Sequence, residues 1–197
     1  MTETRGRGRR PGGPDTRGDI LAAARKSFAD KGFSGTTIRA VGAAAGVDPA
    51  LVHHYFGSKD DLFLAALEIP VDPRELMPPV FEPGLDGAGE RLVRLFLSVW
   101  DTPGARLPLL ALVRSGLAAE SPELLRQGLL PIVLQPLHAA LPADEGPRRV
   151  QLVASQMIGL VVTRYLLALE PLASMPLEEV VAAVSPTVQR YLDGPLP

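Results

Sequence analysis

The sequence predicts an all-α protein, and three observations indicate this fold class. Hydrophobic residues make up 46% of the 197-residue chain and aromatic residues only 5%, a balance that favours packed aliphatic helices over a β-sandwich. Apolar residues recur at three- and four-residue spacing through most of the chain, which is the period of an amphipathic helix. Glycine and proline fall mainly between these periodic segments, where helices end and begin. The length allows one large core or two small ones.

Several classes of protein are disfavoured by what the sequence lacks. It contains no cysteine, so neither a disulfide framework nor a thiolate zinc site is expected. The arginine-rich N-terminus is followed by no apolar stretch and does not look like a signal peptide. The longest apolar run, residues 157–169, is short and is interrupted by Arg164, so no membrane span is predicted. We therefore expect a cytoplasmic protein with no membrane partner.

The two ends of the chain differ in charge. Residues 1–60 hold ten lysines and arginines against six acids, whereas the remaining residues hold ten against sixteen. A basic head on an acidic body is typical of a protein whose N-terminal part binds DNA. Residues 1–14 are rich in glycine, proline and arginine and are predicted to form a disordered basic arm. This arm is either a solvated tail or a segment that lies along phosphates or enters a minor groove.

A first domain is predicted over residues 15–69, and its first helix serves as scaffold. This helix begins at Asp15 or Thr16 and ends at Gly32. Its apolar stripe consists of Ile20, Leu21, Ala24 and Phe28.

The second helix leads into a tight turn. Thr36 or Thr37 caps its start, because a threonine hydroxyl accepts a hydrogen bond from a free amide of the first turn. Gly46 supplies the sharp turn that a helix-turn-helix requires. One face of this helix carries Ile38, Val41 and Ala45.

The third helix is short and has two different faces. Asp48 is a good N-cap and Pro49 suits the first helical position. Val52 and Phe56 lie one turn apart and are expected to be buried together. The opposite face is small, uncharged and rich in hydrogen-bonding rings, which suits a helix lying in a major groove. That face consists of Ala50, Leu51, His53 and His54.

The fourth helix begins with a capping box and reaches about Ile69. Ser58 caps it and Asp61 is the reciprocal partner three residues later. Lys59 lies beside this helix start, where amide groups and a cation together attract a phosphate. The proline-rich residues 70–83 are predicted to connect the two domains.

No metal, cofactor or catalytic site is predicted. His53 and His54 diverge by about a quarter-turn on a helix, and no third ligand falls at suitable spacing. His138 is isolated in the sequence. The chain shows no catalytic triad, glycine-rich phosphate loop or paired-carboxylate motif, so we do not expect an enzyme.

A second domain, residues 70–197, is predicted to be helical throughout. Asp101 to Gly104 is read as a turn, and Gly128, Pro131 and Pro136 are expected to kink or split one of its helices. The predicted helices cover residues 88–100, 107–119, 121–141, 146–169 and 176–192.

The first domain resembles the DNA-binding domain of TetR-type transcriptional regulators. The resemblance covers roughly a quarter of the chain. It rests on residues 36–39, Val41, 45–47, 51–56, 58–59 and Leu62, and upstream on Ile20, Ala24, Phe28, Gly32 and Phe33. Three positions depart from the family pattern: His53 replaces a tyrosine, Asp48 a serine and Ala50 a glycine.

The resemblance implies an N-terminal three-helix helix-turn-helix DNA-binding domain followed by a helical ligand-binding and dimerisation domain. In that family a threonine such as Thr36 or Thr37 contacts a phosphate. The DNA contacts expected here are Thr36, Thr37, Asp48, Pro49, Ala50, Leu51, His53, His54, Tyr55 and Lys59. The partner is then a double-stranded operator with two half-sites, roughly 34–36 Å apart on one face of the DNA.

The resemblance also implies a homodimer formed through the two C-terminal helices. These helices are apolar over a wide arc, and a helix of this kind must be covered on more than one side. The arc consists of Leu152, Val153, Met157, Ile158, Leu160, Val161, Tyr165, Val180, Val181, Val184, Val188 and Tyr191. A purely intramolecular core is the alternative.

An unknown small-molecule effector is expected in the second domain. A head of about sixty residues suffices to read DNA, and sites between bundle helices are common. Side chains proposed to line or orient the ligand are Phe96, Trp100, Arg114, Gln156 and Arg164. Each of them has a plainer role open to it, as core, ion-pair or solvent-facing residue. The combined reading is a ligand-responsive regulator, most simply a repressor; the alternative is a ligand-binding or protein-interaction module that does not bind an operator.

Overall fold

The computed structural model describes residues 15–69, 71–117 and 123–196. Every regular element in these ranges is helical, which confirms the predicted all-α fold class. The chain divides into two compact units between Ala66 and Leu67, whereas the sequence suggested a boundary after residue 69. The basic arm predicted for residues 1–14 lies outside the described residues.

From residue 15 onward, where its description begins, the first unit contains four helices around a small core. Its helices are α1 (Thr16–Gly35), α2 (Ile38–Ala45), α3 (Pro49–Phe56) and α4 (Lys59–Ala66). The fully buried side chains at its centre come from all four helices: Ile20, Ala24, Val41, Val52, Leu62 and Phe63. Helix α4 ends earlier than predicted, and Glu68, just beyond it, has a left-handed φ of 55°.

Helix α1 is interrupted at Gly32, where the sequence predicts its end, and a further turn follows. Gly32 has φ 69° and ψ −179°, a non-helical conformation that kinks the chain between the two helical pieces. The extra turn brings the Phe33 ring to 5.0 Å from the Phe63 ring and 6.0 Å from that of Phe28. Aromatic packing therefore holds the last turn of α1 against α4.

The predicted N-caps of α2, α3 and α4 are confirmed, and each of them acts on residues that are neighbours in the sequence. The Thr37 hydroxyl accepts from the Ala40 amide at 3.1 Å, and the Asp48 carboxylate accepts from the Ala50 amide at 2.7 Å. Ser58 and Asp61 form the reciprocal capping box, with bonds of 2.9 and 3.1 Å between amides and side chains. Gly46 adopts the left-handed conformation, φ 70° and ψ 28°, at the turn.

Among its described residues, the second unit contains seven helices and two π-helical segments. Its helices are α5 (Pro73–Leu76), α6 (Pro78–Phe81), α7 (Ala88–Asp101), α8 (Pro103–Leu117), α9 (Leu130–Ala140), α10 (Gly146–Leu160) and α11 (Leu177–Asp193). The predicted connector, residues 70–83, thus forms two short helices, and Val80 within it is buried. Helix α7 ends at Asp101 and α8 begins at Pro103, so the turn predicted over residues 101–104 is confined to Thr102, whose ψ of 119° is extended.

One π-helical segment precedes α9 and the other follows α10. Leu124–Leu129 leads into α9, and Val161–Leu166 extends α10. The sequence predicts a kinked or split helix at Gly128, Pro131 and Pro136. The helix is not split, since helical structure runs unbroken from Leu124 to Ala140, but it changes from π- to α-helical geometry after Leu129.

The main core of the second unit is built by α7, α10 and α11. Helices α7 and α11 approach closely at Gly89, where a Cβ atom would lie 2.7 Å from the Gln189 backbone nitrogen. The Gln189 side chain accepts from the Gly89 amide and donates to the Leu85 carbonyl, both at 2.8 Å. Buried Arg149 of α10 donates to the carbonyls of Tyr191 and Gly194 at the end of α11.

Much of the apolar arc predicted for dimerisation lies inside the protomer. Its residues Val153, Met157, Leu160, Val161, Val180, Val181 and Val188 are buried within the second unit. The reason is that these side chains fill the cores of the second unit, where α11 packs against α7 and α10 packs against α11. Part of the other face remains exposed, with Ile158 42% exposed on α10. No helix in the described part of the chain is long and apolar enough to cross a membrane.

Candidate nucleic-acid interface and effector site

Helix α3 separates a buried face from an exposed one, as its sequence predicted. Val52 and Phe56 are 0% and 8% exposed and anchor the helix in the core. The structure leaves Ala50, His53, His54 and Tyr55 exposed and Pro49 and Leu51 half-buried. The hydrogen-bonding rings therefore form one accessible surface on a rigid helix, which is the arrangement needed to read base edges.

The orientation of His53 is held by the turn that follows α3. Its ring Nδ1 lies 2.6 Å from the carbonyl oxygen of Gly57. A carbonyl can only accept, so Nδ1 carries the proton and donates it. In the neutral ring this leaves Nε2 as a hydrogen-bond acceptor directed away from the turn.

Lys59 is positioned by aromatic packing as well as by its place at the start of α4. Its Nζ lies 4.3 Å from the centroid of the Phe33 ring. Partial burial lowers the pKa of Lys59, while the negative charge of Asp60 acts in the opposite direction. A phosphate at the α4 N-terminus would meet this cation and the first-turn amides together.

Thr36 is not available to DNA through its side chain, which corrects its assignment as a DNA contact. It is 1% exposed, and its hydroxyl donates to the Gly32 carbonyl at 2.9 Å and pairs with the Ser27 hydroxyl at 3.1 Å. Thr37 and Asp48 remain exposed, although their oxygens already cap α2 and α3.

Arg17 is a candidate DNA contact that the sequence pattern did not reveal. Its guanidinium lies 5.2 Å from the centroid of the Phe56 ring, at the end of α3. The side chain belongs to the first turn of α1, so its position beside α3 follows from tertiary packing alone. An exposed arginine there adds positive charge beside the predicted groove-facing surface.

In the second unit, three of the proposed ligand contacts come together around Tyr165. The Trp100 and Tyr165 rings are stacked with centroids 5.3 Å apart, and Phe96 lies 6.0 Å from Trp100. The Arg164 guanidinium is 5.5 Å from the Tyr165 ring centroid. Leu110 and Val161 complete the buried part of this cluster.

Asp101 and Arg106 form the polar rim of the same cluster. Asp101 accepts from the Tyr165 hydroxyl at 3.1 Å and forms an ion pair with Arg106 at 3.2 Å. Arg106 also donates to the Trp100 carbonyl and lies 5.5 Å from the Tyr165 ring. Burial raises the pKa of Tyr165 to about 12; Arg164 acts to lower it and Asp101 to raise it.

The other two proposed ligand contacts are Arg114 and Gln156. Arg114 is exposed on α8, so the expectation that it orients a ligand inside the domain does not fit its position. Gln156 is half-buried on α10. The described residues contain no group of three or more histidines and acids placed to hold a metal ion.

Comparison with known proteins covers both units. Residues 20–66 match the family model described as bacterial regulatory proteins, tetR family, and residues 86–192 match tetracyclin repressor-like, C-terminal domain. A solved TetR-family regulator from Streptomyces coelicolor is 40% identical, with 94% of this chain and 98% of that chain covered and a TM-score of 0.56.

Curated relatives match over about a quarter of this chain. The transcriptional repressor AcnR of Corynebacterium glutamicum is 41% identical over 51 residues, 26% of this chain and 27% of that protein. The regulator BetI of Brucella anthropi is 41% identical over 54 residues, 27% and 28% of the two chains. The match thus spans about a quarter of the length of these relatives. Since the second family model covers more than half of the chain and the Streptomyces relative almost all of it, this protein belongs to the TetR family of transcriptional regulators.

Proposed function

We propose that the protein is a ligand-responsive repressor that binds a palindromic operator as a homodimer. The observation that carries the proposal is the division of α3: its apolar side chains anchor it in the core, while its rings and Ala50 stay exposed. Exposed His53, His54 and Tyr55 suit contact with base edges, and Lys59 suits contact with a phosphate. We assign the chain no catalytic activity and expect it to act in the cytoplasm, where an operator is accessible.

The dimer is expected to use the faces of α10 and α11 that the protomer leaves exposed. On α10 this face includes Ile158, with the small residues Ser155 and Gly159 beside it. On α11 it includes Ala182, Ala183 and Pro186. Small exposed side chains let helices of two protomers approach closely, and Ile158 supplies apolar area to bury.

The test begins with DNA fragments that the purified full chain selects from its own genome. Binding of a selected fragment, measured by fluorescence anisotropy over a range of salt concentrations, should weaken steeply as salt rises. A selected fragment should bind about a thousandfold or more tightly than a shuffled fragment of the same composition. Equal binding of both fragments, or no binding, would instead favour a ligand-binding or interaction module that does not recognise an operator.

Control by a ligand is the second part of the proposal. A molecule bound in the second unit changes operator affinity only if it prefers one of the conformations of the dimer. A compound that raises the melting temperature of the free protein should therefore also shift its operator affinity. The gene next to the selected DNA fragment suggests which compounds to try.

A further inference from the structure

The Arg164 guanidinium is buried without a matching negative charge. The residue is 9% exposed, and no ion pair to it occurs among the described residues. Arginine remains protonated inside proteins, so its charge has to be balanced by a partner. The nearest acid of the cluster, Asp101, already accepts from Arg106 and the Tyr165 hydroxyl.

The hydrogen bonds of Arg164 are also incomplete. Its Nη1 donates to the Leu172 carbonyl, whereas its Nε is buried with no hydrogen-bond partner. Nε and Nη2 form the edge of a guanidinium that pairs with both oxygens of a carboxylate. A buried donor left unmatched costs free energy, which a bound acceptor recovers.

The guanidinium lies next to an aromatic cluster. Arg164 belongs to the π-helical segment Val161–Leu166, and segments of this kind are frequent at functional sites. The Tyr165 ring centroid lies 5.5 Å from the guanidinium, the Trp100 ring stacks on Tyr165, and Leu110 belongs to the same buried cluster. These side chains offer contact to the body of a hydrophobic ligand rather than to a sugar or an inorganic ion.

We infer that the effector of this regulator is an organic carboxylate, whose two oxygens bind Arg164 and whose apolar body contacts Trp100 and Tyr165. The inference rests on the proposed function in taking the bound molecule to be the effector. It names a charge for the ligand that the family alone does not specify. The site would discriminate against the amide of the same acid, because the amide nitrogen places a donor against a donor.

The test uses intrinsic fluorescence, since Trp100 is the only tryptophan of the chain. The full-length dimer is titrated, without DNA, with octanoate and hydrocinnamate and with their primary amides. Each acid should change the emission saturably and bind about tenfold or more tightly than its amide. Acetate and inorganic phosphate, which have no apolar body, should bind weakly.

Two variants separate Arg164 from another arginine of the same unit. Arg164→Gln should lose the preference for the acids, with a loss of about tenfold or more in their affinity. Arg114→Gln is the control: Arg114 is exposed on α8 and does not belong to this cluster, so the preference should remain. If Arg164→Gln does not fold, Arg164→Lys keeps the charge and should reduce the preference without abolishing it.

The outcomes distinguish this inference from the proposed function. Acids that bind no more tightly than their amides, no binding by either, or an unchanged preference in Arg164→Gln would overturn the carboxylate site. Acid binding at Arg164 that leaves operator affinity unchanged would support the site and contradict its role in regulation. Release of the operator by neutral compounds alone would contradict the site and leave the regulator intact.

Discussion

Lys59 and His53 should contribute to operator binding in different ways. Lys59→Ala removes one phosphate contact, so it should weaken binding to all sequences and lower the salt slope by about one. His53→Ala should remove a preference worth about 1 kcal/mol at a particular base pair. Because His53 Nδ1 donates to Gly57, its free Nε2 should accept from the amino group of an adenine or cytosine.

This difference is measured by titrating both variants over a set of single-base operator variants at several salt concentrations. His54→Ala serves as a neighbouring control for the effect of removing an exposed ring from α3. Identical profiles for the Lys59 and His53 variants would show that the two residues do not have separate roles.

Operator affinity should also depend on the protonation of Lys59. Burial lowers the pKa of Lys59 in the free protein, and a nearby phosphate raises it in the complex, so binding takes up a proton. Affinity should therefore be full below the free-protein pKa and fall as pH rises from that pKa toward the pKa of the complex. Parallel anisotropy titrations of Lys59→Arg, whose charge does not titrate there, should lack this alkaline decline.

The start of each helix in the head could be predicted from sequence, because a cap acts through its own neighbours. Thr37, Asp48 and Ser58 all cap as predicted. The burial of Thr36 could not, because its hydroxyl pairs with Ser27, nine residues earlier on the helix that Thr36 ends. Arg17 was missed because only tertiary packing brings the start of α1 beside Phe56.

The crossing of α7 and α11 should tolerate no side chain at Gly89. An alanine Cβ would lie 2.7 Å from the Gln189 nitrogen and 2.9 Å from its Cα, and a backbone segment cannot move aside cheaply. Gly89→Ala should lower the free energy of unfolding by about 2 kcal/mol or more, as measured by urea denaturation. Gly104→Ala is the control, since no atom lies within 4 Å of its added Cβ. Equal stability of the two variants would contradict this packing.

The exposed faces of α10 and α11 supply a test of assembly. Ile158→Asp places an unpaired charge in the proposed interface, where burial would cost several kcal/mol, so light scattering should detect monomers. Leu107→Asp on α8, at a residue 74% exposed, should leave the dimer intact. A dimer that survives Ile158→Asp would place the interface elsewhere. A charge at Val161 would be uninformative here, since Val161 belongs to the protomer core.

Helical periodicity located the elements of the second unit but not their contacts. It predicted the apolar arc of the last two helices, yet it could not separate residues buried against α7 from residues left for a partner. The stacking of Tyr165 on Trp100 also involves the π-helical turn after Leu160, which shifts side chains from the ordinary helical register. That turn leaves no signature in a pattern based on 3.6 residues per turn.

The central prediction for this member of the TetR family is that the two DNA-binding units of a dimer act as a pair. Two α3 helices of one dimer should contact two half-sites on the same face of the DNA. The most direct measurement is the affinity of the full chain for its selected operator, before and after about five base pairs, half a helical turn, are inserted between the half-sites. The affinity should fall about a thousandfold, toward non-specific binding. An operator that binds equally well after the insertion would contradict paired binding by the two α3 helices.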